Sequence, residues 1–487
     1  MTMRTIATLD RRRARVPAGL HAAVEGDPSA PVRAITHDTR AVVEGGMYAC
    51  LRGTRFDGHA LATDAVAAGA ANLLVAHPLA GPGIGASVSQ LVVADTRVAL
   101  GPVAAAVQGD PSTALRVVGI TGTNGKTTTS ALLASILRGA GDPTSVIGTL
   151  SGAHTTPEAP ELQARLAGFR DAGDLSVVME VSSHALALHR VDGTRFDAAV
   201  FTNLGRDHLD LHGTPEAYFR AKAMLFDPTR AVVGVVNTDD AHGRQLYDAG
   251  SIEMVGFSRA DATDIEVGPA RLSFRWRGHG IGVHLGGPFN VMNALAAATT
   301  AEALGITVDT IVAGLAAAPA VPGRFERVVS GRPNDRARAV DVIVDYAHTP
   351  DGLEEVIAAG GAVVGDHGRV IVVFGAGGDR DRDKRPLMGA AAARLADVTV
   401  ITSDNPRSED PEAIMADIVA GIPPEQRSQI EIVPDRAEAI RIAIGLAEPG
   451  DIVIIAGKGH ETTQTIGSDV VAFDDRAVAR AVLEGAS

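Results

Sequence analysis

The stretch GITGTNGKTTT, residues 119–129, holds residue types that can grip a polyphosphate. Gly122 and Gly125 can turn backbone N–H groups inward on phosphate oxygens. Lys126 can reach the terminal phosphates, and the Thr127 hydroxyl can ligate Mg²⁺. A helix expected from about Thr128 adds its positive end. Gly119 lies six residues before Gly125 rather than the usual five, so the loop is a variant of the common form.

Further chemistry follows the loop. Glu180 comes directly after an apolar run, where a carboxylate is costly unless it meets a cation. Asp207 and His208 supply an oxygen and a nitrogen donor. His208 and His212 are four apart, but the H-E-x-x-H pattern of a zinc protease is missing. In GTPEAYFRAKAMLF, 213–226, Thr214 reads as an N-cap and Pro215 as the first helical residue. Lys222 on that helix has Tyr218, Phe219, Leu225 and Phe226 around it. It reads either as a lysine snorkelling to solvent or as a neutral amine able to take up CO₂ as a carbamate, a carboxylate that could bind a second Mg²⁺.

These groups need strands to place them. Apolar runs at Arg116–Ile120, Val177–Met179, Ala198–Phe201 and Val232–Val236 alternate with helical patterns, which predicts a mainly parallel sheet. A later set repeats the alternation at Val342–Val344, Val370–Phe374, Val398–Ile401, Ile430–Val433 and Ile452–Ala456. Near the start, only Leu73–Ala76 and Leu91–Ala94 read as strands. QGDPST at 108–113 reads as a linker, and the region near 325–335 as a hinge. The expected units are 1–112, 113–328 and 329–487. Ligands of open α/β sheets bind beyond the carboxyl ends of strands. There lie TGTNGKTTT, EVSSH, TNLGRDHLD, DYAHTP, GAGGDRDRDKRP, SDNPRSEDP and GKGHE. GAGG at 375–378 imitates a dinucleotide fingerprint, but Arg380 occupies its last glycine position, so no nicotinamide site is expected.

Composition narrows the class. The net charge of −14 argues against a nucleic-acid partner. The single cysteine, Cys50, excludes an intrachain disulfide and fits a reducing cytoplasm. No apolar run is long enough for a membrane span: Asp64, Glu302 and Asp309 interrupt the alanine-rich stretches. Aromatics make up 3% of residues, so alanine and glycine must fill the interior, with helices lying close on parallel sheets.

In order along the chain, GTNGKTTT, MEVSSHALALHRVDG, FTNLGRDHLDLHGTPEAYFRAK, FNVMNALAA, VPGRFERV, DYAHTPDGL, FGAGGDRDRDKRPLMG, SDNPRSEDP and GKGHE resemble the Mur ligases, the ATP-dependent enzymes that build the peptide stem of peptidoglycan. The resemblance implies a three-domain α/β architecture: a UDP-substrate domain, a central phosphate-loop ATPase domain and a Rossmann-like C-terminal domain. It implies that Gly122, Thr123, Asn124, Gly125, Lys126, Thr127 and Thr128 bind ATP phosphates, with Asn293, Arg324 and Asp345 near the nucleotide. Thr127, Glu180, His208 and carbamylated Lys222 would surround Mg²⁺. His37, Thr39, Thr54, Arg55 and Phe56 would hold the UDP end of the substrate, and Thr155, Thr156, Ser182 and Arg190 its muramoyl-dipeptide end. Arg380, Asp404, Asn405, Pro406, Arg407, Gly457 and Glu461 would bind the incoming amino acid. Leu188 stands where a glutamine often contacts the sugar-peptide.

The D-N-P-R loop resembles the members that add meso-diaminopimelate to UDP-MurNAc-L-Ala-D-Glu; those that add lysine resemble it less. Arg407 would then pair two-pronged with the distal carboxylate that lysine lacks. Taken alone, the same residues read as a proline-broken turn capping a helix from about Glu412, with Arg407 solvated. A folylpolyglutamate or cyanophycin synthetase, and a nucleotide-switched binding protein, are the rival readings. The chain is expected to act as a cytoplasmic monomer, on small-molecule substrates.

Overall fold

The computed structural model describes residues 4–11, 22–53, 56–152, 154–330 and 340–485. Its centre is a parallel sheet in the order Glu253–Phe257, Ala231–Asn237, Phe196–Phe201, Arg116–Thr121, Ser176–Glu180, Thr144–Ile147. The four inner strands have buried apolar residues on both faces, as an all-parallel sheet covered by helices demands, while of their apolar residues the edge strands Glu253–Phe257 and Thr144–Ile147 bury only Phe257 and Ile147. The chain leaves Arg116–Thr121, the strand before the phosphate loop, for the edge at Thr144–Ile147. It returns through Ser176–Glu180 and crosses to Phe196–Phe201 on the other side. The loop therefore lies where the strand order reverses, at the crevice that α/β sheets offer to ligands.

The helix Lys126–Gly139 packs against Phe289–Ala303 and Val308–Ala316. A Cβ on Gly314 would lie 2.5 Å from the Ile136 Cα, so this contact requires glycine. It is the close helix packing that the alanine- and glycine-rich composition predicts. The sequence reading missed an antiparallel sheet of Thr263–Val267, Leu272–Trp276 and His279–Val283. Leu272, Phe274 and Trp276 are buried and alternate with outward Ser273 and Arg275, a period of two without a continuous apolar run.

The C-terminal sheet runs Glu326–Arg327, Asp341–Asp345, Ile452–Ala456, Val370–Phe374, Val398–Ile401, Ile430–Ile432, parallel except for the first, antiparallel strand. Residues 326–327 of the expected hinge are thus sheet-bonded, and 331–335 lie outside the described residues. An unexpected hairpin, Thr463–Ile466 with Asp469–Ala472, stands beside the carboxyl ends of this sheet. The N-terminal sheet has four parallel strands, Ser89–Val93, Ala70–Val75, Gly46–Ala49 and Ile35–Thr36, and an antiparallel edge, Ala22–Glu25. The segment read as a linker at 108–113 is a packed junction in which Asp110, Pro111 and Ser112 are buried.

Candidate active site

The phosphate loop is rigid because its neighbours hold it. Gly122 has φ +148°, and a Cβ there would lie 1.9 Å from the Thr202 Oγ1. Gly125 has φ +84°, and its Cβ would lie 2.3 Å from the Asn293 Oδ1. Both positions therefore combine a left-handed backbone with a close approach, which only glycine accommodates. Thr202 donates its hydroxyl to the Asn124 carbonyl (2.6 Å), and the Asn124 N–H donates to Asn203 Oδ1 (2.9 Å). The helix begins at Lys126, two residues earlier than expected. Lys126 Nζ lies on the loop itself, donating to the Gly122 and Thr123 carbonyls at 2.8 Å each.

Beside the loop sits Glu180, at the end of its strand and 1% exposed. Its carboxylate accepts from the Thr149 N–H (2.9 Å), the Thr149 hydroxyl (3.1 Å) and the Thr127 hydroxyl (3.1 Å). Arg324 donates to the Thr127 hydroxyl at 2.9 Å. Lys222 is 1% exposed, which removes the snorkelling alternative. Its Nζ donates to the Gly122 carbonyl at 2.8 Å, the oxygen that also receives Lys126. Burial, reinforced by the Lys126 charge, holds the Lys222 amine well below the ordinary lysine range. Thr214 caps the short helix that carries Lys222, and Pro215 opens it, as expected.

His208 has a left-handed backbone, φ +54°, and its ring nitrogen lies 3.3 Å from Asp207. Burial pushes its imidazole down to about 4, so the ring is neutral near pH 7. Among the described residues no group of three or more His, Cys, Asp or Glu side chains is arranged to hold a metal ion. The oxygen donors present, Glu180 and Thr127, nonetheless have the hard character that Mg²⁺ requires beside phosphate oxygens.

A cavity of about 400 Å³ opens over these groups. Thr123 to Thr128, Thr155, Glu180, Ser182, His208 and Asn293 line it from the central unit. Asp345, Tyr346, His348 and Glu355 close it from the C-terminal unit, with Arg324 between the two. Arg324 stacks its guanidinium over the Tyr346 ring at 4.5 Å. Asp345 accepts from the Phe325 and Ala347 N–H groups at 2.7 Å each, and burial pushes its carboxyl upward. Asp351 accepts from the Arg206 N–H at 2.8 Å, a second bond across the two units.

The residues expected to hold the sugar-peptide also meet. The Thr155 and Thr149 hydroxyls are 3.0 Å apart, and the Ser182 N–H donates to the Thr156 hydroxyl at 3.0 Å. Arg190 donates to the Thr156 carbonyl (3.2 Å) and pairs with Glu158 (2.9 Å), which also pairs with Arg97 of the N-terminal unit (2.8 Å). His37 borders this group: its Nδ1 is buried without a hydrogen-bond partner, and burial, the first cause, lowers its imidazole. Thr39 begins a short turn capped by Asp38, and Phe56 is exposed; neither lines the cavity. Thr54 and Arg55 lie outside the described residues.

The amino-acid loops form a second cluster. Asn405 donates to Glu461 (2.9 Å) and accepts from Lys458 Nζ (3.1 Å) and the Thr465 N–H (3.0 Å). Arg407 is half-buried with φ +52°, a strained setting for a non-glycine residue. Its backbone is fixed by the hairpin: its N–H donates to Thr465, and Gly467 donates to its carbonyl. Its guanidinium donates to the Gly378 carbonyl at 2.7 Å. The helix cap is Asp410, which accepts from Glu412 N–H. Asp404 is buried, and Gly457, φ +118°, approaches so closely that a Cβ would lie 2.5 Å from Asp404 Oδ2. Beside them, the Pro406 carbonyl lies where a Cβ on Gly378 would be, 1.9 Å away. Arg380 is exposed and donates to the Asp379 carbonyl at 3.3 Å.

Sequence reasoning passed over several neighbours. Thr149, Tyr346, His348 and Glu355 carry no distinctive spacing, although two of them lie inside DYAHTP. Lys458 was overlooked although it lies in GKGHE; it is fully buried and donates to Glu461 at 2.9 Å.

A family model described as the Mur ligase middle domain matches residues 120–301, and one described as the Mur ligase glutamate ligase domain matches 323–459. The chain belongs to the Mur ligase family. It is 45% identical to a UDP-N-acetylmuramoyl-L-alanyl-D-glutamate--2,6-diaminopimelate ligase of Streptomyces coelicolor, covering 94% of each chain. It is 43% identical to the ligase so described from Geobacillus kaustophilus, over 94% of this chain and 96% of the relative. A solved structure carrying that description is 32% identical, with a TM-score of 0.66 and 99% of both chains covered.

Proposed function

We propose that the protein joins an amine of meso-diaminopimelate to the γ-carboxylate of D-glutamate in UDP-N-acetylmuramoyl-L-alanyl-D-glutamate, consuming ATP. The observation that carries this reading is the facing of two loop sets across one cavity. The phosphate loop and Glu180 stand on one side, with Lys222 behind the loop on the Gly122 carbonyl; the strand ends of the C-terminal unit, with Asp345, stand on the other. A nucleotide-switched binding protein has no need of a second loop cluster, of both charges, around Arg407. Arg407 in that cluster would offer its guanidinium to the distal carboxylate that lysine lacks, which favours diaminopimelate over lysine.

ATP is the phosphoryl donor. The loop amides and Lys126 receive its phosphates, and Lys126 has only two carbonyl bonds to exchange for phosphate oxygens. Thr155, Thr156, Ser182 and Arg190 hold the peptide end so that its carboxylate reaches the γ-phosphate. That oxygen attacks phosphorus, ADP leaves and an acyl phosphate forms. Mg²⁺ held by Thr127, Glu180, His208 and a Lys222 carbamate would supply neutralisation of the two approaching anions. The depressed basicity of Lys222 keeps the amine in the neutral form that a carbamate requires. The amino acid is oriented through its distal carboxylate on Arg407 and its distal ammonium on Asp404 and Glu461; its other amine, as the free base, attacks the acyl carbon, phosphate leaves and the amine nitrogen gives up a proton to solvent.

Among the described residues no helix is long and apolar enough to cross a membrane. The reaction fits a cytoplasmic monomer working on small molecules. The test is a phosphate-release assay with the UDP-substrate, Mg²⁺, ATP and a panel of amino acids. Release dependent on diaminopimelate, with a product heavier by that residue, supports the reading; equal or faster release with lysine refutes the assigned specificity.

A further inference from the structure

Outside every motif named above, one ion pair among the described residues is buried completely. Arg436 opens the helix Arg436–Leu446, and Asp475 opens the last helix, Asp475–Leu483. Both side chains have 0% relative exposure. Arg436 Nε and Nη2 donate to the two Asp475 oxygens at 2.8 Å each, a two-pronged pair. A buried arginine is costly unless its donors are used, and this one places two further N–H groups on backbone carbonyls at the ends of the sheet. Nη2 also donates to the Ala456 carbonyl at 3.0 Å, and Nη1 to the Ser403 carbonyl at 3.4 Å. Asp404 Oδ2 lies 4.0 Å from Nη1.

The carbonyls are what give the pair meaning. Ala456 is the last residue of Ile452–Ala456 and precedes Gly457; Ser403 precedes Asp404. The two strands are not adjacent, since Val370–Phe374 runs between them. Sheet hydrogen bonds therefore do not join the Asp404–Asn405 and Gly457–Lys458 turns: the Asn405 side chain ties them through Lys458 and Glu461, and among the described residues Arg436 alone ties the backbone carbonyls just before them. We propose that Arg436, held by Asp475, is a positioning residue for the amino-acid substrate: it ties these two turns together from beneath and sets the orientation of Asp404. This deepens the proposed function and rests on it.

The test compares Arg436→Lys with the wild type in the full-length protein. Lysine keeps the charge opposite Asp475 but cannot fork across both carbonyls. The expected result is a KM for diaminopimelate raised about tenfold or more, with the KM values for ATP and the UDP-substrate within about twofold of wild type. A double variant, Arg436→Met with Asp475→Leu, removes both charges at similar volume, a change that folded proteins tolerate. It is expected to melt near the wild type and still show the raised KM for the amino acid alone. An unchanged KM for diaminopimelate in Arg436→Lys, or a parallel rise in all three, overturns the inference. Wild-type enzyme that forms no amide overturns the proposed function instead, so the two failures are distinguishable.

Discussion

The two halves of the site are built on different plans. In the phosphate half the ligand-facing groups are consecutive: seven residues in a row supply the backbone turn, the lysine and the hydroxyl, while Thr202, just past a strand, and Asn293, on a helix, press on two glycines from distant parts of the chain. In the amino-acid half the ligand-facing groups themselves come from separate loops. Asn405 meets Lys458 and Thr465 across more than fifty residues, and Arg436 meets Asp475 across 39. A phosphate is recognised by peptide N–H groups, which any sequence has, so a few glycines and one lysine suffice. A zwitterionic side chain must be recognised by side chains at fixed separations, and those separations need a buried ionic frame.

The contrast is open to experiment. Lys126→Ala removes the charge that meets the terminal phosphates, and kcat/KM is expected to fall about a thousandfold, in the range known for phosphate-binding donors. Retained melting temperature with lost turnover would confirm that the loop is rigid without the lysine. Next in size, Arg407→Ala is expected to lower kcat/KM for diaminopimelate about 10- to 100-fold, matching about 1–3 kcal/mol for a lost charged partner. Its activity toward lysine should change little, so the ratio between the two amino acids is the measurement. Lys458→Met should raise the KM for diaminopimelate about tenfold, from a lost hydrogen bond to a charged group, while the KM for ATP stays constant. An equal effect on both would mean that the two halves are not separately built.

The smallest expected effect is on acid stability. Glu409 pairs with buried Arg385, whose hydrogen bond holds the carboxyl down at about 2 instead of 4.5. A depressed folded pKa gives stability that is present above the unfolded value and lost as protons bind. Unfolding of the wild type should therefore become easier between pH 4.5 and 2 by more than in Glu409→Gln. Parallel curves would show that the pair contributes nothing.

This division also explains what could be read from the sequence. The parallel strands announce themselves as continuous apolar runs, and Thr214-Pro215 and the phosphate loop carry their own local rules. The antiparallel strands at Leu272–Trp276 were hidden because half their residues face water. The hairpin at Thr463–Ile466 was hidden because it carries a mixture of polar and apolar residues with no regular period, yet it fixes Arg407 in a left-handed backbone. Arg436 and Asp475 sit in ordinary helix starts, Asp435-Arg436 and Asp474-Asp475, each of which reads as a cap and nothing more. Nothing in a linear sequence tells two such starts that they face each other. Lys222 shows the intermediate case: its apolar neighbours were visible, but its burial and its bond to Gly122 required the fold.

The central claim is that the substrate carboxylate itself attacks the γ-phosphate. It can be followed through one oxygen. If the D-glutamate γ-carboxylate carries ¹⁸O, an acyl phosphate hands one of those oxygens to the phosphate that the amine displaces. Mass analysis of phosphate from a complete reaction with diaminopimelate should show the heavy isotope in step with amide formed. Phosphate free of the label, with amide forming at the same rate, would contradict the account.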